Sequence, residues 1–138
     1  MSKEDLQKKY LELQILEQQL SQLQQQSQIL HQQIQELSFL SEAIDGVSKV
    51  KKDTEMLIPL GAGVYAKGEL KDNKEVIMNV GANTTTVKST KEARVIIEDQ
   101  ISQLKNMLDQ IALELNKANI AGHDLQHEIQ QEVAKNKA

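Results

Sequence analysis

The sequence predicts a mainly α chain, a long antiparallel coiled-coil hairpin whose two helices are joined by two small β-hairpins. Three observations predict it. Aliphatic residues form a heptad seam at each end of the 138-residue chain. The only Pro and four of the six Gly fall in the middle. The aromatic residues are limited to Tyr10, Phe39 and Tyr65, whereas compact globular cores draw heavily on large rings.

Residues 1–52 form the first arm. Leu16, Leu20, Leu23, Ser27, Leu30, Ile34, Leu37, Ser41 and Ile44 follow one another at alternating steps of four and three. That spacing keeps one stripe of an α-helix facing a partner, with Leu at the d positions 16, 23, 30 and 37. Leu6, Tyr10 and Leu13 keep the same rhythm in another frame, and the three-residue step from Leu13 to Leu16 is a stammer that overwinds a coiled coil. Gln18, Gln19, Gln22, Gln24, Gln25 and Gln26 crowd the outer positions. A Gln-rich tract can signal low complexity, but the seam beneath this one argues for helix, which Gln favours.

Residues 53–88 read as strands. Glu55–Leu60 is a short apolar run that ends at Gly61-Ala62-Gly63, and Val64–Leu70 follows. The Asp-Asn pair of Lys71-Asp72-Asn73-Lys74 tolerates positive φ and separates these from Glu75–Val80. Gly81-Ala82-Asn83 then turns into Thr84–Lys88. Pro59 has no N–H to donate, which places the first strand at an edge. So small an amount of β structure cannot bury a core alone, and its free strand edges and exposed Val, Ile and Met call for strands from other subunits. Oligomerisation is expected.

Residues 89–138 form the second arm. Ser89-Thr90-Lys91-Glu92 is a capping box, in which Ser and Glu exchange hydrogen bonds with the first free N–H groups of a helix. Ile97, Ile101, Leu104, Leu108, Ile111, Leu115, Ala118, Gly122, Leu125 and Ile129 make the second seam, thin at Ala118 and Gly122. A helix with one narrow apolar stripe must bury it against another helix, and the other arm is the nearest partner. Pairing with residue numbers that sum to about 138 sets Leu16 opposite Gly122, so the stammer meets the thinnest part of the facing seam. Apolar residues near the free ends (Leu6, Tyr10, Leu13, Leu125, Ile129 and Val133) are then candidates for splayed, partly uncovered tips, with ordinary end fraying as the equal alternative.

Composition removes several function classes. The absence of Cys excludes disulfide scaffolds, thiolate metal sites and cysteine nucleophiles. Sixteen basic against twenty acidic residues give a net charge of −4, with both signs in every zone, so no nucleic-acid partner is expected. No apolar run approaches the ~20 residues of a membrane span, and Met1-Ser2-Lys3-Glu4-Asp5 is unlike a signal peptide; no membrane partner and a cytoplasmic location are expected. Gly61-Ala62-Gly63-Val64-Tyr65-Ala66 matches the G-x-G-x-x-G/A dinucleotide pattern, but that chemistry needs a helix N-terminus next, and a strand follows. A glycine turn is the better reading. His123-Asp124 and His127 could place two imidazoles on one helical face, yet both fall at outward heptad positions and His31 lies on the other arm. No metal, cofactor or catalytic residue is expected, and the chain is not read as an enzyme.

A helix, two hairpins and a helix, with Ile58-Pro59-Leu60-Gly61-Ala62-Gly63-Val64-Tyr65-Ala66-Lys67-Gly68 leading to Val76-Ile77-Met78-Asn79-Val80-Gly81, resembles the alpha-type subunits of the archaeal prefoldin family. The resemblance covers essentially the whole chain, and two hairpins rather than one match the alpha type. It implies a hetero-hexamer of two alpha-type and four beta-type subunits, with an inter-subunit β-barrel platform and coiled-coil tentacles. On this sequence the platform residues would be Met56, Ile58, Leu60, Val64, Ala66, Leu70, Val76, Met78, Val80 and Val87. The resemblance further implies an ATP-independent chaperone that captures unfolded client proteins at the tentacle tips and passes them to a group II chaperonin. Those tips would include Leu6, Tyr10, Leu13, Leu125, Ile129 and Val133. The alternative from another class is a passive coiled-coil scaffold or tether that oligomerises through its β region.

Overall fold

The computed structural model describes residues 2–137, with the side chains of residues 2–136. Its elements run α1 (Lys3–Lys49), β1 (Glu55–Gly61), β2 (Val64–Glu69), β3 (Glu75–Gly81), β4 (Thr84–Ser89) and α2 (Thr90–Lys137). The fold is two long helices with two small antiparallel hairpins between them, and the expected strands lie within a residue of the observed ones. β1 pairs only with β2 and β3 only with β4, so the hairpins are separate two-stranded sheets and no barrel closes within the chain.

The hairpins repeat each other at an offset of 20 residues, which the sequence reading missed. Glu55 faces Glu69 and Gly61 faces Val64 in the first; Glu75 faces Ser89 and Gly81 faces Thr84 in the second. Both registers shift just before the turn, between Pro59 and Gly61 and between Asn79 and Gly81. Gly61, Ala62 and Gly63 have φ of 118°, 48° and 80°, against 111°, 50° and 58° for Gly81, Ala82 and Asn83. Two successive positive φ values twist the chain the way a tight hairpin requires, and the Gly ahead of them absorbs the bulge. The GxGxxA match is therefore turn chemistry.

The Lys71–Lys74 segment departs from expectation. Positive φ falls on Asp53, before β1, and not on the Asp-Asn pair. The Asp72 carboxylate instead accepts the Lys74 N–H at 2.8 Å, an Asx turn, and the Asn73 amide donates to the Val50 carbonyl at 2.9 Å. Asn73 thus satisfies a carbonyl just past α1, which has no intrahelical partner. The Asp53 N–H donates to the Leu70 carbonyl at 2.7 Å and the Thr90 N–H to the Lys74 carbonyl at 2.8 Å, tying both hairpin bases to the helix ends.

The chain forms two compact units, residues 34–103 and residues 1–33 with 104–138. In the first, Ile44, Ala93 and Ile97 are buried, and Leu37, Val76, Met78 and Ile101 pack around them. Ala93 is fully covered, so the helices meet β3 where a larger side chain has no room. The Ser89 hydroxyl accepts the Glu92 N–H at 3.0 Å, making the serine half of the expected capping box. In the second unit the seams face each other with Leu30, Leu125 and Ile129 buried and Leu16, Leu20, Leu23, Leu108 and Leu115 half-buried. Lys9 pairs with Glu128 at 2.8 Å, and in the other unit Arg94 pairs with Asp45 at 3.0 Å. The residue numbers of these pairs sum to 137 and 139, the register expected from the heptads.

An electrostatic cluster marks the helix junction. Asp45 accepts Lys49 and Arg94, both at 3.0 Å, while Arg94 also reaches Glu98 at 3.4 Å. The hydrogen bond from Lys49 is the main cause that holds the Asp45 carboxyl below its ordinary 3.8; the Lys49 and Arg94 charges add to it, and burial opposes it. Because the folded state depresses this pKa, the stabilisation is present above the unfolded value and disappears as pH falls through the folded one. Asp45→Asn is expected to lower the melting temperature at neutral pH and to match wild type once the pH is well below 3.8. Thermal melts of both proteins across that range check this; an equal deficit at every pH would show that charge is not the cause.

Candidate functional site

The candidate functional surface of this chain is a set of uncovered apolar faces. In β3 and β4 alternation sends Val76 and Met78 inward to the helices, and the facing pair Ile77 and Val87 outward. Ile77 is 75% exposed. The first hairpin has no such seat, and every residue of β1 is exposed. Its two faces carry Met56, Ile58 and Leu60 on one side and Leu57 and Pro59 on the other, with Tyr65 opposite Pro59.

Of the ten candidate platform residues, Met56, Ile58, Leu60, Val64, Val80 and Val87 are exposed, whereas Ala66, Leu70, Val76 and Met78 are half-buried. Val76 and Met78 are engaged inside the chain. Leu57, Tyr65 and Ile77 stand outside that set and are also exposed. Strict alternation was the available signal: if Val76 and Met78 face the helices, Ile77 must face away.

The free end of the second unit is closed, not splayed. Leu125 and Ile129 are 8% and 6% exposed, as well covered as Leu30 and better than Leu16, Leu20 and Leu23. Leu6, Leu13 and Val133 are half-buried, and Tyr10 is half-exposed. Beside Tyr10, Leu11 and Ile15 are also exposed, one helical turn apart on the outer side of α1, and the seam-based reading passed over them. Their signal was present: two apolar residues at i and i+4 off the heptad stripe.

His31, His123 and His127 are all exposed, and His127 Nε2 lies 3.2 Å from the amide nitrogen of Gln131. Among the described residues no cluster of His, Asp and Glu is placed to hold a metal ion. Among the described residues no helix is long and apolar enough to cross a membrane.

Paired helices with a two-hairpin junction and uncovered strand faces define a coiled-coil chain whose β segment leaves apolar surface exposed. The Prefoldin family, described as "Prefoldin subunit", matches residues 16–135. The chain belongs to the prefoldin family, a membership that supports a chaperone role. Among curated relatives it is 31% identical over 108 residues to a "Prefoldin subunit alpha" of Methanobrevibacter smithii, covering 78% of this chain and 73% of that one. It is 26% identical over 116 residues to the "Prefoldin subunit alpha" of Methanococcus vannielii, covering 84% and 77%. Among solved structures it resembles filamentous PFD from Methanocaldococcus jannaschii, seen by cryo-EM, with a TM-score of 0.75 at 18% identity, covering 86% of this chain and 98% of that chain. The architecture expected from sequence is the one observed.

Proposed function

We propose that this chain is the alpha-type subunit of a cytoplasmic prefoldin hexamer, two alpha-type with four beta-type subunits, that holds unfolded proteins without ATP and delivers them to a group II chaperonin. The observation that carries the proposal is the family match over residues 16–135. Two features support it. The uncovered faces of both hairpins, with Leu57, Leu60, Tyr65 and Ile77 exposed, are what strand exchange between subunits would cover. Tyr10, Leu11 and Ile15 near the free end offer dispersed apolar contacts, and several such arms would bind one client through avidity.

Purified complex formed with a beta-type subunit is expected to have the mass of a hexamer and to suppress light scattering from a denatured protein with no nucleotide present. The buried Leu125 and Ile129 are what a passive scaffold would show. Assembly without any suppression of scattering would establish that second reading.

A further inference from the structure

We propose that the β1–β2 hairpin is a strap. In the free chain it closes along the last turns of α1, laying Met56, Ile58 and Leu60 against Val47, Ala43 and Phe39. It opens when a neighbouring subunit covers that face, a step that rests on the hairpins being the assembly surface.

The second hairpin shows which face is involved. At the 20-residue offset Met56 and Ile58 correspond to Val76 and Met78, the side chains that pack against Ile44, Ala93 and Ile97. The first hairpin therefore carries the same seating face without a filled seat. Its cross-strand partners on that face are small, with Gly68 opposite Met56 and Ala66 opposite Ile58. A Cβ on Gly68 would stand 2.7 Å from Ile58 Cδ1, so the glycine lets Ile58 lie flat across the sheet. Such a face can meet a helix.

A helix already stands beside it. Ala43, Gly46 and Val50 recur at steps of three and four with Val47 among them, off the seam that ends at Ile44, and make a second apolar stripe at the end of α1. An opening of ≈ 390 Å³ lies between this stripe and Met56 and Leu70 of the hairpin. Nothing lies within 4 Å of where a Cβ on Gly46 would stand. Phe39, four residues before Ala43 on the same stripe, is 74% exposed. Same-face residues of a strand are about 6.8 Å apart, and helix residues four apart are about 6 Å. Met56, Ile58 and Leu60 thus match Val47, Ala43 and Phe39 in step as the hairpin lies down.

Water drives the closure. Apolar surface withdrawn from water stabilises in proportion to its area, and both walls of the opening are largely apolar. β1 also has one unpaired edge, which in a free chain invites pairing with the wrong strand. Closed, the strap hides its apolar face; a subunit that covers more of that face than α1 does shifts the equilibrium to the open form.

Spin labels on Gln35→Cys and Ala62→Cys test this in the full-length chain, which has no other Cys, diluted with unlabelled chain. Their separation is expected to be shorter in the free chain than in the complex with a beta-type subunit. Phe39→Ala removes the far contact of the strap, and Gly46→Arg fills the opening and fits only the open form. Each is expected to lengthen the separation in the free chain and to leave it unchanged in the complex. A free-chain separation equal to that in the complex, or one that either substitution leaves unmoved, would overturn the strap. Loss of the complex on Gly46→Arg would overturn it too, by assigning the opening to the neighbouring subunit. Should the unsubstituted pair form no complex, the assembly reading fails, while the free-chain response to Phe39→Ala and Gly46→Arg still decides whether the strap closes.

Discussion

Removal of residues 1–13 and 126–138 together is expected to abolish client capture while assembly survives. The cut takes away Leu6, Tyr10, Leu11, Leu13, Ile129 and Val133, and with them most of the apolar surface at the free end. It leaves the 34–103 unit untouched, with its Ile44–Ala93–Ile97 core and both hairpins. Each apolar contact to a client contributes only about 25 cal/mol per Å² of surface covered, so capture depends on many of them acting at once. Loss of one arm end lowers every term of that sum. Light scattering from a denatured protein reads the capture, and the mass of the complex reads the assembly. Full capture by the truncated complex would show that clients are held elsewhere; loss of assembly would place the arm ends in the subunit contacts.

Ile97→Ala is expected to destabilise the chain by about 2–4 kcal/mol, the usual range for removing a buried branched side chain. Ile97 is 3% exposed and shares its cluster with Ile44 and Ala93, against which Val76 and Met78 of β3 pack. Collapse around the void is restricted, because the two helices and the hairpin base are tied by hydrogen bonds. The loss therefore reaches beyond melting temperature. The second hairpin loses its seat, and Ile77 and Val87 are no longer held in the orientation a neighbouring subunit would meet. Val95→Ala, two residues away and 64% exposed, serves as the control and is expected to change stability little. Circular dichroism melts of both variants check this; a drop for Ile97→Ala no larger than for Val95→Ala would remove Ile97 from the core that supports assembly.

The arms were legible in one dimension. Leu16 to Ile44 and Ile97 to Ile129 alternate by four and three, and such a stripe has only one way to be buried. Even the register followed, because Leu16 lies across from Gly122 in the folded chain as the numbering required. The turns were legible for a related reason: Gly61-Ala62-Gly63 and Gly81-Ala82-Asn83 contain residues that tolerate the positive φ a tight hairpin needs. The candidate site was less legible. Val76 and Val80 look alike in sequence, yet Val76 packs on the helices and Val80 is exposed. The difference is set by where the helix core ends along β3, a distance that composition does not encode. Leu125 and Ile129 are likewise both seam and tip residues by position, and only the packing shows them buried.

By itself, then, the sequence determined two helices, two hairpins and the pairing of the arms, because periodicity, glycine turns and helix caps act through neighbours a few residues apart. Only the tertiary structure decided which face of each hairpin is left uncovered and whether the arm ends stand open. β1 is apolar on both faces, so its pattern selects neither, and the second hairpin is oriented by its seat on Ala93 and Ile97. Closure of the arm ends depends on the balance between the packing of Leu125 and Ile129, which are buried, and the open grooves between the helices beside Ala118 and Gly122. That balance is a sum over contacts between residues about a hundred positions apart, and no local pattern carries it.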